Sequence, residues 1–155
     1  MINYNELIFR RQFLLTPDSC KTLDHWQHKT LSSLNLYVHP DVELSIFETI
    51  HKKSGMALIG FMIDPNNPNR SNIEILAEMQ NFIQSPEDIS KYLYNISGRF
   101  VLIINNSTDT IIFHDPCGLR SVYYTTNNGK MYVGSQPLIF KHVMPLIFCR
   151  RGMNF

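Results

Sequence analysis

"RFVLIINNSTDTIIFHDPCGLRSVYYTTNNGKMYVG", Arg99 to Gly134, decides the fold. Four runs in it are rich in β-branched and aromatic residues: "RFVLIIN" (99–105), "TIIFH" (110–114), "SVYYTT" (121–126) and "KMYVG" (130–134). No gap between them is long enough for a helix, and the gaps carry turn chemistry. Asn128-Gly129 favours a two-residue hairpin, and Asn106-Ser107-Thr108-Asp109 is a loop signature. Consecutive hairpins without crossover helices imply antiparallel sheets. Upstream, "LIFRRQFLL" (7–15), "ELSIFETI" (43–50) and "MALIGFMI" (56–63) read as further strands.

Two helices interrupt this pattern. "SNIEILAEMQNFI" opens with Ser71 and carries Glu74 three residues on, a capping box, followed by apolar residues at Ile73, Leu76, Met79 or Phe82, and Ile83. A helix over about 72–84 is predicted. "SPEDISKYLYNI" offers Ser85 as N-cap, Pro86 at the first helical position and acidic residues in the first turn, with Ile89, Tyr92, Leu93 and Ile96 on one face. Strand hairpins with segregated helices define an α+β class. The stretch "DPNNPNRSN" (64–72) is the one long loop, and no internal repeat or low-complexity tract is present.

Composition narrows the function. A chain of 155 residues with 44% apolar content builds one core, hence one domain. A formal charge of +1 and no basic run interleaved with aromatics argue against nucleic acid as a partner. No apolar run approaches the ~20 residues of a bilayer span, so the sequence reads as soluble and cytoplasmic, with no membrane partner. Cys20, Cys117 and Cys149 form an odd set without a CxxC, which points to reduced thiols rather than disulfides or zinc. His25, His28, Asp24 and the more distant His39 are conceivable metal ligands, but this spacing on a surface helix edge fits solvated histidines better. Trp26 is expected to pack such a helix onto a sheet, and Met56, Phe61, Met62, Met79 and Phe82 have core spacing. Neither a metal nor a cofactor is implied.

The segment 96–140, "ISGRFVLIINNSTDTIIFHDPCGLRSVYYTTNNGKMYVGSQPLIF", resembles the second half of a class II glutamine amidotransferase domain, as found at the N-terminus of asparagine synthetases and beta-lactam synthetases. The shared pattern is a glycine before a hydrophobic hairpin, an Asp with a Gly three residues later, an aromatic pair in the next strand, and a Ser-containing turn into a short helix. "ALIGFMIDP" (57–65) sits where the family has a strand with an Asn-Gly pair, and "RSNIEIL" (70–76) where it has a Gly-Ser-Asp helix start. The resemblance covers residues 1–142, with 143–155 a tail or the start of a linker to a synthetase domain. It implies an N-terminal nucleophile (Ntn) hydrolase fold, a four-layer αββα sandwich of two antiparallel sheets flanked by helices.

The family's chemistry uses an N-terminal cysteine thiol with its own α-amine as the nearby base. Here Met1 is followed by Ile2, and Cys20 lies beyond the first predicted strand. Ile59-Gly60 stands at the Asn-Gly pair, so the side-chain donor of the oxyanion hole is missing. Asn72 stands where an aspartate would hold the α-ammonium of glutamine, and no arginine occurs in 34–50, where the family binds the glutamine carboxylate. Ile59, Gly60 and Asn72 are therefore read as a vestigial glutamine pocket in a pseudoenzyme with no catalytic residue of its own.

The implied role is a scaffold or interaction module for an ATP-dependent, amide-bond-forming synthetase, supplied in cis or as a partner subunit, with a homodimer also open. No Ser-Gly-Gly-x-Asp-Ser loop occurs, so adenylation cannot reside in these residues. The alternative is an independent amidohydrolase using Cys117 with His114, since a thiolate beside an imidazolium is a nucleophile. The resemblance favours a structural Asp115–Gly118 turn instead, with Cys117 a turn residue. Finally, Phe140, Leu146, Ile147 and Phe148 in "PLIFKHVMPLIFCRRGMNF" (137–155) are expected to mark a docking surface for a second domain or a partner subunit; the alternative is that 144–155 folds back as one more core strand.

Overall fold

The computed structural model describes residues 9–48, 55–82, 85–106 and 109–144. Among them are nine strands and three helices. The strands are β1 (Phe13–Thr16), β2 (Gln27–Leu31), β3 (Leu34–Val38), β4 (Leu44–Glu48), β5 (Gly55–Ile63), β6 (Ser97–Asn105), β7 (Thr110–His114), β8 (Tyr123–Asn127) and β9 (Lys130–Gly134). The helices are α1 (Asn72–Phe82), α2 (Pro86–Leu93) and α3 (Pro137–Val143). The chain is mixed α+β, with two antiparallel sheets: five strands in the order β2-β3-β1-β9-β8 and four in the order β4-β5-β6-β7. None of the helices is long and apolar enough to cross a membrane.

The centre of the four-stranded sheet is the β5–β6 pair, in register from Gly55↔Asn105 to Ile63↔Ser97. Both strands are almost continuously apolar because both faces are covered. Ala57, Ile59, Val101 and Ile103 turn toward the five-stranded sheet and meet Phe13, Leu15, Leu36, Val38 and Val133. Leu58, Met62, Phe100 and Leu102 turn the other way, onto Ile75, Leu76, Met79, Ile89 and Leu93 of α1 and α2. A third cluster, on the far face of the five-stranded sheet, joins Leu14, Tyr37 and Tyr132 to Trp26, Ile139 and Phe140. Truncating a fully buried aliphatic such as Leu102 to Ala costs about 2–5 kcal/mol.

Helix boundaries follow the chemistry read from the sequence. The Ser71 amide donates to Glu74 Oε2 at 2.7 Å, and the Glu74 amide donates to Ser71 Oγ at 3.3 Å, closing the capping box. Ser85 Oγ accepts from the Asp88 amide at 3.3 Å with Pro86 at the first helical position. The buried stripe of α1 is shifted from the predicted one. It runs through Asn72, Ile75, Leu76 and Met79, while Ile73 is exposed, because the i, i+3, i+4, i+7 row facing β5 starts one residue earlier.

The region before β4 departs from expectation. Of the segment 7–15 predicted as a strand, residues 7 and 8 lie outside the described residues; among the rest the strand begins at Phe13 and runs to Thr16, and residues 9–11 turn, with Phe9 at φ 57° and Arg11 at φ 60°. No helix carries His25, Trp26 and His28. A single 3₁₀ turn, Lys21–Leu23, leads into the β2–β3 hairpin. β2 is an edge strand with exposed His28, Lys29 and Thr30, so it lacks the alternation that marks a half-buried strand. Its turn is Ser32-Ser33, with Ser32 at φ 55°, where Asn-Gly would have been legible. Trp26 is buried nonetheless, edge-on to His39 with ring centroids 5.5 Å apart.

The long loop after β5 is anchored by charge. Arg70 bonds Asp64 at 3.0 Å, pairs with Glu78, and donates to the Glu74 carbonyl at 3.0 Å; Tyr92 of α2 donates to Glu78 at 3.1 Å. The Asn66 amide and then Arg70 hold the Asp64 carboxyl below its ordinary range. Hydrogen bonds likewise depress Asp18 (from Lys130, then Tyr132), Asp41 (from Arg10) and Glu74 (from the Ser71 amide). A carboxyl depressed in the folded state stabilises it above the unfolded pKa of ~4, and the gain is lost as pH falls through the folded value. The urea midpoint should therefore be flat from about pH 5 to 7 and fall below about pH 4. Asp64→Asn should lower the neutral midpoint and flatten that acid limb; an unchanged acid limb would remove Asp64 from the account.

Candidate functional site

β5 ends in an irregularity centred on Gly60. Its φ of +102° lies where side chains are strained, and a methyl group there would stand 2.2 Å from the Arg99 carbonyl oxygen and 2.9 Å from Arg120 Nε. Only hydrogen fits. The Gly60 amide donates to the Glu43 carbonyl at 2.8 Å, so it is used within the fold. Ile59 has no free surface and belongs to the core between the sheets.

Asn72, the first residue of α1, is buried and fully bonded. Its Oδ1 accepts from the Met62 amide at 2.9 Å. Its Nδ2 donates to Glu43 Oε1 at 2.8 Å and lies 3.2 Å from both Ser45 Oγ and the Gly60 carbonyl. One carboxamide thus ties α1, β4 and β5 together, serving acceptors with its amide and a donor with its carbonyl. The arrangement needs both polarities. A carboxylate in its place could accept from the Met62 amide and the Ser45 hydroxyl but would leave the Gly60 carbonyl and Glu43 without a donor.

Ile59, Gly60 and Asn72 are therefore neighbours, joined through Gly60 and Glu43. The Asp115–Gly118 turn closes the same end of the four-stranded sheet. The Asp115 amide donates to the Phe100 carbonyl at 3.0 Å, and the fully buried Asp115 carboxylate accepts from the amides of Leu119 at 2.9 Å and Arg120 at 3.1 Å. The Gly118 amide returns to the Asp115 carbonyl at 2.9 Å, with Gly118 at φ +63°. This turn delivers Arg120 onto Gly60. Arg120 Nη1 is 3.5 Å from the Arg11 carbonyl, just before β1, while its Nε is buried without a hydrogen-bond partner among the described residues. Burial lowers the Arg120 pKa, as do the charges of Arg99 and Arg11, while Asp115 opposes them.

Cys117 and His114 do not form a bonded pair. Cys117 is exposed and has no hydrogen-bond partner among the described residues, and His114 Nδ1 lies 2.8 Å from the Asp115 carbonyl oxygen. Cys20, beyond β1, accepts or donates at 3.0 Å to Thr22 Oγ1; Cys149 lies outside the described residues. The histidines are also dispersed. His28 stacks on Tyr37 at 4.6 Å, His25 lies 3.7 Å from Asp24, and buried His39 accepts from the Asp41 amide through Nδ1 at 3.1 Å. Among the described residues no group of three or more His, Cys, Asp or Glu gathers to hold a metal. Phe140 is buried against the five-stranded sheet rather than part of an exposed stripe; Leu146, Ile147 and Phe148 lie outside the described residues.

Sequence reasoning missed Glu43, Ser45 and Arg120. For Arg120 a signal existed: it falls two residues after Gly118, and a turn held by a buried aspartate fixes where its neighbours go. No protein-family model matches the chain, and no curated protein matches it.

Two substitutions test this geometry. Asn72→Asp should destabilise by about 2 kcal/mol or more, because it removes the donor to the Gly60 carbonyl and sets a second carboxylate against Glu43. Part of that loss should be recovered on acidification, as the carboxylate pair takes up a proton; a urea midpoint equal to wild type at pH 7 would contradict the bonding described. Cys117→Ser should change the unfolding free energy, read from urea titration, by no more than about 0.5 kcal/mol, as for an exposed site.

Proposed function

We propose that the chain is a catalytically degenerate class II glutamine amidotransferase-like domain. It acts as a scaffold or interaction module for an ATP-dependent amide-forming synthetase, in cis or as a partner subunit. The observation that carries this reading is the occupied state of the vestigial pocket. The Gly60 amide, the side-chain donor that an oxyanion hole would need beside it, and the Asn72 carboxamide are each spent or absent: Gly60 donates to Glu43, Ile59 is apolar, and Asn72 is consumed by four internal contacts. Arg120 covers what space glycine leaves.

Three apolar clusters, one between the sheets and one on each outer face, support a four-layer αββα arrangement of the Ntn-hydrolase kind. The Ser135 turn into α3 supports the same alignment: Ser135 Oγ accepts from the Phe13 amide at 2.8 Å and fastens the end of β9 to the start of β1. A scaffold also needs surface to offer. Tyr124 is 76% exposed on the edge strand β8, and Met131 is 56% exposed on β9.

Purified protein should release no glutamate from glutamine above a heat-inactivated control. Release that is abolished by thiol alkylation would overturn the degenerate reading and return Cys117 to consideration. The scaffold half is tested by crosslinking in the native host. A subunit or continuous chain carrying an ATP-dependent synthetase should be recovered, and its absence from all crosslinked species would overturn that half.

A further inference from the structure

We infer that Arg11, Arg99 and Arg120 form a binding site for a small oxyanion, a carboxylate or phosphate group, at the end of the sandwich beside Gly60. Two observations converge. First, five arginines fall among the described residues, and only Arg10 and Arg70 sit on carboxylates. Arg11, Arg99 and Arg120 have no ion-pair partner among the described residues, and they lie together: Arg120 Nε and the Arg99 carbonyl oxygen flank the same side of Gly60, Arg120 Nη1 reaches the Arg11 carbonyl, and the charges of both neighbours act on Arg120. Second, Arg120 is held in place rather than free to leave. Its backbone amide is fixed by buried Asp115, its Nε is packed against Gly60, and the one guanidinium bond it makes among the described residues, to the Arg11 carbonyl, is at the 3.5 Å limit.

Three like charges brought together from the segment before β1, from β6 and from the Asp115 turn repel one another unless an anion sits among them. The Asp115 carboxylate offsets this repulsion only in part, and both of its oxygens already accept backbone amides. Guanidinium groups suit planar carboxylates and tetrahedral phosphates alike, because each presents paired N–H donors to paired oxygens. Glycine at 60 contributes by letting the Arg120 side chain lie against the strand. The site adjoins the vestigial glutamine pocket at Gly60 but draws its charged groups from residues outside it, and it stands whether or not the chain serves a synthetase.

The test is thermal unfolding of the full chain in inorganic phosphate, in succinate, and in sodium chloride at matched ionic strength. A ligand that binds only the folded state raises the midpoint in a saturable way. Phosphate or succinate should do so beyond the chloride control; a response to phosphate alone assigns a phosphoryl ligand, and to succinate alone a carboxylate. Arg99→Gln, a change at an exposed residue, should weaken the apparent affinity on the order of tenfold. Arg120→Met should abolish the response, whatever it does to stability without anion. Midpoints that move no further in phosphate or succinate than in chloride, or that move equally in wild type and Arg99→Gln, would overturn the site.

Discussion

The pairing of β5 with β6 is the constraint on which the rest of the structure depends. Over Met56–Gly60 and Phe100–Ile104 the pair is covered on both sides, so the side chains there face one apolar layer or the other, and a slip of one residue would exchange the two sets. Ile59 and Val101 would then face the helices, and Phe100 the opposite sheet. The pattern allows one register. That register brings Gly60 opposite Phe100 and beside the Arg99 carbonyl, which is why position 60 has no room for a side chain.

From this pair the chain reaches the second sheet through a single turn. β7 continues the four-stranded sheet as far as the Asp115 amide, which still bonds the Phe100 carbonyl, and β8 belongs to the other sheet. A reversal of this kind exposes backbone amides in the interior, where each unpaired donor costs about 1–3 kcal/mol. Asp115 answers two of them with one carboxylate, and can be buried because those amides solvate its charge. The geometry of Arg120 is a by-product of that solution: once the amides of Leu119 and Arg120 are fixed, the guanidinium has only the open side of Gly60 to occupy.

How much of this was legible depended on whether a residue's role was local. The capping box at Ser71 and Glu74, the Ser85-Pro86 start, the Asn128-Gly129 hairpin and the runs over 110–114 and 130–134 are written in short-range chemistry, and the sequence displays them directly. The β2–β3 hairpin was hidden because an edge strand tolerates His, Lys and Thr, and because Ser32 adopts a conformation that its side chain does not advertise. Asn72 could be located on a helix start but not seen as a four-way joint, since Glu43 and Ser45 are 29 and 27 residues away in sequence. Phe140 read as part of a docking surface for a similar reason: of what covers it, Leu14 and Trp26 come from segments more than 100 residues away in the sequence.

Charge shows the same contrast between what is local and what is assembled. The net charge of +1 gives no hint of a cationic site, and a patch on a neutral protein must come from unequal pairing. Here the pairing is unequal. Asp18 holds Lys130, Asp41 holds Arg10, and Asp64 with Glu78 holds Arg70, each at a loop that would otherwise fray. These carboxylates are committed to anchoring chain segments, and Asp115 is committed to backbone amides. The acidic groups thus neutralise positive charge at the loops, leaving it compensated only in part, by Asp115, at the end of the sandwich where β1, β5, β6 and the Asp115 turn meet.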